Sequence, residues 1–517
     1  MIRNFVSKNY ALIILAIIIG IAAFLRLYRI EDYLIFLGDE GRDVLVVRQI
    51  LHGHLTFLGP RASAGDFFLG PIYYYFMAPF LFLSNFNPVG PAIMVALLAT
   101  ATVFLIYKMG KEFFGTRAGL FASLLYAVSF LVVAYSRSSW NPNVMPFFSV
   151  LALYTAYKGI EKKKLFLMFI SGILLGIAMQ LHYLTVFLGG ILFFYIFLTG
   201  FSKNKLPELL KKYAAVFAGF LIGLSPFLAF EIKNGFPNIR TIFNFIFFSG
   251  NVAGSGKFED IVGSVFFRVF GRLITAYPSP ESVSPNTSLG IAFWYYFTLV
   301  LAFASIGLLT FQLLQKLKNQ EKGVTSHLLI LLWIGLGILF FGLYKKAIYD
   351  YYFGFMFPAP FLVVGNLFAN LWNRNLILKL IVVGIMGFLL YINYKGDPLH
   401  FAPNRQYRQV EMISKFILNK AGGKPYNFAL ITGGNSDHAY RYIFVTNNKP
   451  PVTILGLDSD PQRKSVTDQL FVVCEENPCH PLGHSLWEVA GFGRAEITDE
   501  WQVSVLKVYK LVHYKEK

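Results

Sequence analysis

The chain has 517 residues, of which 56% are hydrophobic and only 14% are charged, and its formal net charge is +18. A mean hydropathy of +0.55 excludes a soluble globular protein of this length, which would need a charged surface around several domains. The basic residues lie in short clusters between apolar stretches, which argues against nucleic-acid binding and favours contact with anionic membrane lipids.

Apolar runs begin near the N-terminus and continue to residue 394. They lie near residues 11–28, 88–107, 118–135, 144–158, 165–181, 183–200, 213–230, 291–314, 327–344, 352–371 and 379–394. Because about 18–20 apolar residues cross a bilayer, these runs predict about eleven membrane-spanning helices, the first of them a retained helix. Every second loop is basic, starting with Arg3 and Lys8. The positive-inside rule therefore predicts a plasma-membrane protein with a cytoplasmic N-terminus and residues 395–517 outside.

Two loops on the predicted outer side, residues 29–87 and 231–290, are long enough to carry chemistry. In the first, Gly38-Asp39-Glu40-Gly41-Arg42-Asp43 leads into apolar residues at helical spacing, and Gly53 is a natural helix stop. This pattern predicts an amphipathic helix lying in the membrane interface. Its two N-terminal carboxylates either cap the helix, where the helix dipole favours them by about 0.3–1 kcal/mol, or carry out catalysis.

A first span followed by Asp-Glu-x-Arg, here residues 39–42, resembles the GT-C glycosyltransferases, above all the protein O-mannosyltransferases and the aminoarabinose transferases. The supporting motifs are Leu69-Gly70-Pro71-Ile72-Tyr73-Tyr74-Tyr75, Ser136-Arg137-Ser138-Ser139-Trp140-Asn141-Pro142-Asn143 and Gln180-Leu181-His182-Tyr183. The resemblance implies a GT-C membrane fold and inverting transfer of mannose, or of another hexose or pentose, from a polyprenyl phosphate. It also implies that Asp39 is the catalytic base and that Arg42 holds the donor or the site geometry. Gly70-Pro71 stands where aminoarabinose transferases have a lysine before two prolines, which argues against aminoarabinose transfer to lipid A.

The chemistry of such a transfer requires a base for the acceptor hydroxyl and cations for the departing phosphate. We predict that Asp39 is the base and that Glu40 supports it. Arg137, Lys345 and Lys346 break the positive-inside trend on the outer side, so they are candidates for binding the phosphate. The two lysines are equally consistent with snorkelling at a helix end.

Three further residues on the outer side are candidates for binding substrate. His182 and Tyr183 lie between two predicted spans with almost no loop, so the imidazole would donate to phosphate, orient a hydroxyl or serve only the structure. Glu231, at the end of the seventh predicted span, either lines a cavity or caps a helix. No metal site is evident, and a lipid-phosphate donor needs a metal less than a nucleotide sugar does, so we expect no cofactor.

The composition becomes that of an ordinary polar globular sequence from residue 395. A helix is predicted over 404–421, closed by Gly422-Gly423, with strands at 428–431, 452–455, 470–474 and 503–511. We therefore expect a small extracytoplasmic α/β domain that recognises the acceptor or packs over the active-site mouth. Cys474 and Cys479 allow one small disulfide loop. The glycine-rich stretch 250–258 lacks the residues of a phosphate-binding loop and is interpreted as an outer loop.

Together these features predict a transmembrane catalytic domain at 1–394 and an extracytoplasmic domain at 395–517. The predicted function is transfer of a sugar from a polyprenyl phosphate to a protein, lipid or glycan hydroxyl. A lipid or glycan transporter or flippase is the alternative, and a non-catalytic scaffold is another. The lack of repeated halves and the position of the charges at the outer ends of the spans argue against a transporter.

Overall fold

The computed structural model describes residues 2–62, 65–201, 206–247, 256–279, 283 and 287–515, without the side chains of 2–8 and 246–247. Most of the glycine-rich stretch 250–258 lies outside the described residues. The chain divides into two compact units. The helical unit comprises Met1–Tyr28, Thr56–Phe76 and Ile93–Ala402, and the α/β unit comprises Arg29–Leu55, Met77–Ala92 and Pro403–Lys517. The domain boundary predicted after residue 394 stays a prediction.

The described residues form mostly helices. The α-helices are α1 (Ile2–Leu27), α2 (Ile30–Tyr33), α3 (Gly38–Leu51), α4 (Ile72–Leu83), α5 (Val89–Phe114), α6 (Thr116–Val128), α7 (Phe130–Tyr135), α8 (Met145–Glu161), α9 (Leu165–Leu181), α10 (Val186–Gly200), α11 (Leu206–Gly223), α12 (Ser225–Asn234), α13 (Pro237–Phe247), α14 (Phe258–Gly271), α15 (Leu289–Lys318), α16 (Val324–Phe341), α17 (Pro358–Trp372), α18 (Leu376–Gly396), α19 (Gln406–Lys420), α20 (His438–Thr446) and α21 (Trp487–Ala490). The strands are β1 (Asn427–Ile431), β2 (Gln469–Cys474), β3 (Ala495–Val503) and β4 (Leu506–His513). Short 3₁₀ helices lie at Asn141–Val144, Tyr183–Thr185, Asp350–Met356 and Pro398–His400.

Membrane-spanning helices account for much of the described chain. Six helical stretches are long and apolar enough to cross a bilayer: Asn9–Leu27, Val89–Phe114, Tyr183–Gly200, Leu289–Lys318, Val324–Phe341 and Leu376–Gly396. Two bent pairs raise this number to as many as 8 among the described residues, and three shorter apolar helices are present in addition. The protein is therefore a multi-pass membrane protein, whereas the count of eleven spans stays a prediction.

Breaks within the apolar helices distinguish the structure from the sequence-based expectation. The run predicted as one span at 118–135 is two helices separated at Ser129, whose hydroxyl donates to the Leu273 carbonyl at 2.7 Å. Helices α11 and α12 meet at a bend of 73°, directly before Ser225 and Pro226. Proline at the start of a helix lacks the N–H needed to continue the preceding one, which explains the break.

Glycines bring α9 and α11 of the helical unit close together. A Cβ atom added at Gly172 would lie 2.0 Å from the Val216 carbonyl oxygen, and one at Gly219 would lie 2.0 Å from the Phe169 oxygen. Small residues allow such backbone contact between membrane helices. This packing fixes the first half of α9, and near its C-terminal end, which leads into His182, the Gln180 amide donates to the Gly223 carbonyl at 2.6 Å.

The α/β unit contains a four-stranded sheet in the order β1-β2-β4-β3, in which β1 and β2 are parallel and the other pairs antiparallel. All residues of β1 and β2 are buried, as expected for strands covered on both faces. The predicted C-terminal α/β domain is confirmed, as is the helix at 404–421. The strand predicted at 452–455 is wrong: Val452 N donates to the Tyr426 carbonyl at 2.9 Å, but the Val452 carbonyl accepts from the Asn427 amide at 2.7 Å and Leu455 N donates to the Ser465 hydroxyl at 3.0 Å, so no backbone ladder forms along the segment.

Candidate active site

The N-terminus of α3 in the α/β unit carries the predicted acidic pair. Leu37 is extended, and its N–H donates to a carboxylate oxygen of Glu40 at 3.1 Å, so Glu40 caps the helix. Gly41 packs directly on α20, where an added Cβ atom would lie 2.2 Å from the Ala439 nitrogen. The predicted helix is confirmed and begins where these contacts fix the backbone, whereas its position in the membrane interface stays a prediction.

Asp39 lies in the first turn of this helix, and its side chain is 50% exposed. Arg42 holds it through a 2.8 Å contact between Nη1 and Oδ1. The same guanidinium donates from Nε and Nη2 to Oδ1 of Asp43 at 3.0 and 2.8 Å. Asp43 is fully buried, and it was not predicted as a site residue. The sequence spacing could have predicted this contact, because residues 39, 42 and 43 are three and four apart and therefore share one face of a helix.

Glu40 differs from its neighbour in burial, since only 9% of the residue is exposed. Burial raises the pKa of its carboxyl from 4.5 to about 7, because the charged form loses its hydration. The backbone N–H groups of Leu37 and Glu40 oppose this shift, and the nearby Asp43 and Asp39 add to it. Glu40 is thus a buried capping group, whereas Asp39 presents an accessible carboxylate.

Arg137 and Glu231 have structural partners within the helical unit. Arg137 is buried and donates to the carbonyls of Leu25 and Tyr28, which lie at the end of α1. Glu231 is buried as well, and its two oxygens accept hydrogen bonds from the Asn238 amide at 2.7 Å and from Ile239 N at 3.0 Å. These contacts favour capping roles, and the predicted substrate contacts of both residues stay predictions.

His182 and Tyr183 lie in a cluster of aromatic side chains of the helical unit. The imidazole stacks on the Tyr183 ring, with a centroid distance of 4.7 Å, and lies 5.0 Å from the Tyr352 ring. The Tyr183 hydroxyl is 2.6 Å from that of Tyr344. Nδ1 of His182 accepts from Leu184 N at 3.3 Å, which leaves Nε2 as the ring atom that carries the proton in the neutral form.

A pair of arginines, not predicted from the sequence, lies beside this cluster. Arg268 donates from Nε and Nη2 to Oδ1 of Asp350 at 2.9 and 2.6 Å, and Arg272 donates from Nε to Oδ2 at 2.8 Å. All three side chains are mostly buried. One carboxylate thus fixes two guanidinium groups and leaves a net positive charge. Their four-residue spacing could have predicted that the two arginines share one face of a helix. Asp350 is about 80 residues away in sequence, so it could not be paired with them from the sequence alone.

The predicted lysines flank the aromatic cluster. Lys345 is exposed, and Nζ of the half-buried Lys346 lies 5.6 Å from the centre of the Phe245 ring. That ring lies 6.1 Å from the ring of Tyr183. An apolar cavity of about 160 Å³ adjoins the same tyrosine. Its lining includes Phe68, Leu69, Tyr183, Phe227, Ile239 and Ile242.

Metal ligands are not grouped in the described part of the chain: no three His, Cys, Asp or Glu side chains there could hold an ion together. The expectation that no cofactor is needed stays a prediction. Cys474 and Cys479 form a disulfide directly after β2.

The helical architecture and the small C-terminal sheet define the class: the chain has the fold of the GT-C membrane glycosyltransferases. It is similar to ArnT from Cupriavidus metallidurans bound to undecaprenyl phosphate, with 11% identity, a TM-score of 0.61 and coverage of 98% of both chains. It is also similar to the archaeal oligosaccharyltransferase AglB from Archaeoglobus fulgidus in complex with an inhibitory peptide and a dolichol-phosphate, with 14% identity, a TM-score of 0.53 and coverage of 90% of this chain and 70% of AglB. It is also similar to the arabinofuranosyltransferase AftD from Mycobacteria, with 12% identity, a TM-score of 0.50 and coverage of 99% of this chain and 40% of AftD.

A sequence profile supports the same assignment. Residues 69–230 match the family described as dolichyl-phosphate-mannose-protein mannosyltransferase. Comparison with the curated proteins finds no match. The predicted fold class and the predicted resemblance are confirmed.

Proposed function

We propose that the protein is an integral membrane glycosyltransferase that moves a sugar from a polyprenyl-phosphate donor to a hydroxyl acceptor with inversion. The observation that carries this proposal is the accessible Asp39 carboxylate, held by Arg42, in a chain with the GT-C fold. The donor class is supported by the undecaprenyl phosphate bound to ArnT and the dolichol-phosphate bound to AglB.

In the proposed reaction, Asp39 accepts the proton of the acceptor hydroxyl while the hydroxyl oxygen attacks the anomeric carbon. The bond from that carbon to the phosphate oxygen breaks, and the polyprenyl phosphate leaves with the electron pair. A single displacement inverts the anomeric centre. A general base typically contributes about 10²–10⁴-fold to such a step.

Arg268 and Arg272 are the proposed cations for the leaving phosphate. Asp350 neutralises one of their two charges and orients both guanidinium groups, so they need little reorganisation when negative charge grows on the phosphate. His182 and Lys346 are proposed to assist them, and the apolar cavity beside Tyr183 suits the first units of a polyprenyl chain. We retain the positive-inside orientation, which puts Asp39 on the extracytoplasmic side.

The proposed sugar is mannose or another hexose or pentose, and the acceptor is a protein, lipid or glycan hydroxyl. The mannosyl choice is supported by the family profile that matches residues 69–230. A panel of defined polyprenyl-phosphate sugars, scored for transfer and for hydrolysis by the purified protein, tests this part of the proposal.

Asp39→Asn tests the base, because the amide keeps the shape of the side chain but cannot accept the proton. We expect transfer to fall by about 10²–10⁴-fold. Asp458→Asn, at an exposed carboxylate elsewhere in the α/β unit, is the matched control. Undiminished transfer by the Asp39→Asn variant would remove Asp39 from the mechanism. Movement of substrate across liposomes without glycosidic bond formation would instead identify a transporter.

Arg268→Gln and Arg272→Gln test the phosphate contacts. We expect each to raise the KM for the donor or to lower kcat by about 10-fold or more, because one of the two cations oriented by Asp350 is lost. Arg240→Gln, an exposed arginine in α13, controls for loss of positive charge alone. Equal effects of the three substitutions would contradict a specific role for the α14 pair.

A further inference from the structure

The loop between β1 and α20 meets the helix that carries Asp39, and both belong to the α/β unit. An added Cβ atom at Gly38 would lie 2.1 Å from the Ser436 hydroxyl oxygen, and one at Gly41 would lie 2.2 Å from Ala439 N. The first turn of α3 therefore rests directly on backbone from residues 435–439. No side chain larger than hydrogen fits at either glycine without displacing that loop.

Asn435 makes the specific contact across this junction. Its Oδ1 accepts a hydrogen bond from Gly38 N at 2.8 Å and one from Ser436 N at 2.8 Å. Gly38 directly precedes Asp39, and the first N–H groups of a helix have no partner within the helix. The Asn435 side chain thus ties down the backbone from which the candidate base projects.

Glu475 in turn fixes the orientation of the Asn435 amide. The amide nitrogen donates to the two carboxylate oxygens of Glu475 at 3.1 and 3.3 Å. Thr432 donates its hydroxyl to the same carboxylate at 2.7 Å. An inverted amide would face its NH₂ group toward two N–H donors and its oxygen toward a carboxylate, so only one orientation satisfies every partner.

Glu475 is itself held at the end of the sheet. It follows β2 immediately, its N–H donates to the Ile431 carbonyl at 2.9 Å, and the Cys474–Cys479 disulfide closes the short loop that begins with it. A continuous path of contacts therefore runs from the sheet through Glu475 and Asn435 to the residue before Asp39.

We propose that Asn435, oriented by Glu475, is a positioning residue for Asp39, and that the C-terminal part of the chain thereby sets the geometry of the base. This inference rests on the proposed function. Misplacement of a catalytic group by about 1 Å can cost about 10²-fold in rate, so we expect Asn435→Ala to lower kcat by about 10- to 100-fold while the KM for the donor changes less than about 3-fold.

A reciprocal exchange tests the pairing. Asn435→Asp keeps the acceptor for Gly38 N but places its carboxylate next to that of Glu475. Glu475→Gln by itself has only one acceptor oxygen for the Thr432 hydroxyl and the Asn435 amide, so one of these two donors loses its partner. In the double variant, the new amide at position 475 can donate to the new carboxylate at position 435 and still accept from Thr432, so the contact returns with its polarity reversed. We expect the double variant to recover at least about 5-fold of the kcat lost in Asn435→Asp, which a coupling of about 1 kcal/mol permits. A double variant whose kcat is no higher than that of the less active single variant would overturn the proposal.

A second measurement does not depend on activity. Amide hydrogen exchange across residues 37–41 should accelerate in Asn435→Ala, because Gly38 N loses its partner. Asn447→Ala is the matched control, since Asn447 caps the other end of α20 through a 2.7 Å bond to the Ile443 carbonyl. We expect the control to affect stability without changing kcat or this exchange. Unchanged exchange in Asn435→Ala would refute the positioning role, whereas a wild-type protein that transfers no sugar would refute only the proposed function.

Discussion

Glu40→Gln should remove a pH dependence of stability that the buried carboxyl imposes. The pKa of Glu40 is 4.5 in the unfolded chain and about 7 in the fold, which corresponds to about 3 kcal/mol. Below about pH 4.5 both states hold the proton. Between about pH 4.5 and 7 the unfolded chain releases it while the fold retains it, so stability falls as the pH rises through this window. Above about pH 7 the loss is complete.

The glutamine side chain keeps the acceptor for Leu37 N and never ionises. We therefore expect the substitution to leave the free energy of unfolding nearly unchanged at about pH 4.5 and to raise it by up to about 3 kcal/mol at about pH 8. Denaturant unfolding of the purified protein at both pH values, monitored within the α/β unit, measures the difference. Glu496→Gln, at an exposed position of β3, is the control. A difference between wild type and Glu40→Gln that is the same at both pH values would refute the reasoning.

Three further substitutions test contacts around the same helix and its supporting sheet. Arg42→Lys should lower transfer and reduce stability by about 1–3 kcal/mol, because one ammonium group cannot make the hydrogen bonds that the guanidinium makes to both Asp39 and the buried Asp43. Transfer kinetics and denaturant unfolding of the purified variant measure the two effects. Gly41→Ala should reduce stability by about 1–3 kcal/mol, since its Cβ meets the Ala439 backbone. Gly456→Ala should be tolerated in the same unfolding measurement, because among the described residues no atom beyond the chain neighbours lies within 4 Å of its added Cβ. Replacing Cys474 and Cys479 by serine should lower the free energy of unfolding by about 2 kcal/mol, the value that loop-closure entropy gives for so short a loop. Equal urea midpoints for the variant and the wild type would contradict this.

Local periodicity explains which elements were predictable. The helices α3 and α19 follow from apolar spacing and from the glycines that end them, because these signals lie within about 15 residues of sequence. The strand expected at 452–455 has the right composition, but it makes one backbone hydrogen bond, from Val452 N to the Tyr426 carbonyl, and its other contacts include the side chains of Asn427 and Ser465. Composition alone does not distinguish an extended segment from a paired strand, since pairing depends on neighbours far along the chain.

The candidate site shows the same limit. Asp39, Glu40 and Arg42 are adjacent in sequence, so their common location at one helix end could be predicted. Asp350 fixes Arg268 and Arg272 across about 80 residues, and Asn435 binds Gly38 across 397 residues. Such contacts depend on tertiary packing. The contacts of Arg137 were likewise not predictable: its guanidinium donates to carbonyl groups at the end of α1, about 110 residues away, and its predicted phosphate contact stays a prediction.

The acidic pair had two interpretations from the sequence, helix capping and catalysis, and the structure shows that the two carboxylates differ in contacts and burial. Glu40 accepts the Leu37 N–H and is buried, so burial makes its ionised form costly and suits it to a structural task. Asp39 is half exposed, and its carboxylate is held by the Arg42 guanidinium at 2.8 Å. A base must be accessible to the acceptor hydroxyl, and of the two carboxylates only that of Asp39 is exposed. The proposed catalytic role therefore falls to Asp39, while Glu40 caps the helix that carries it.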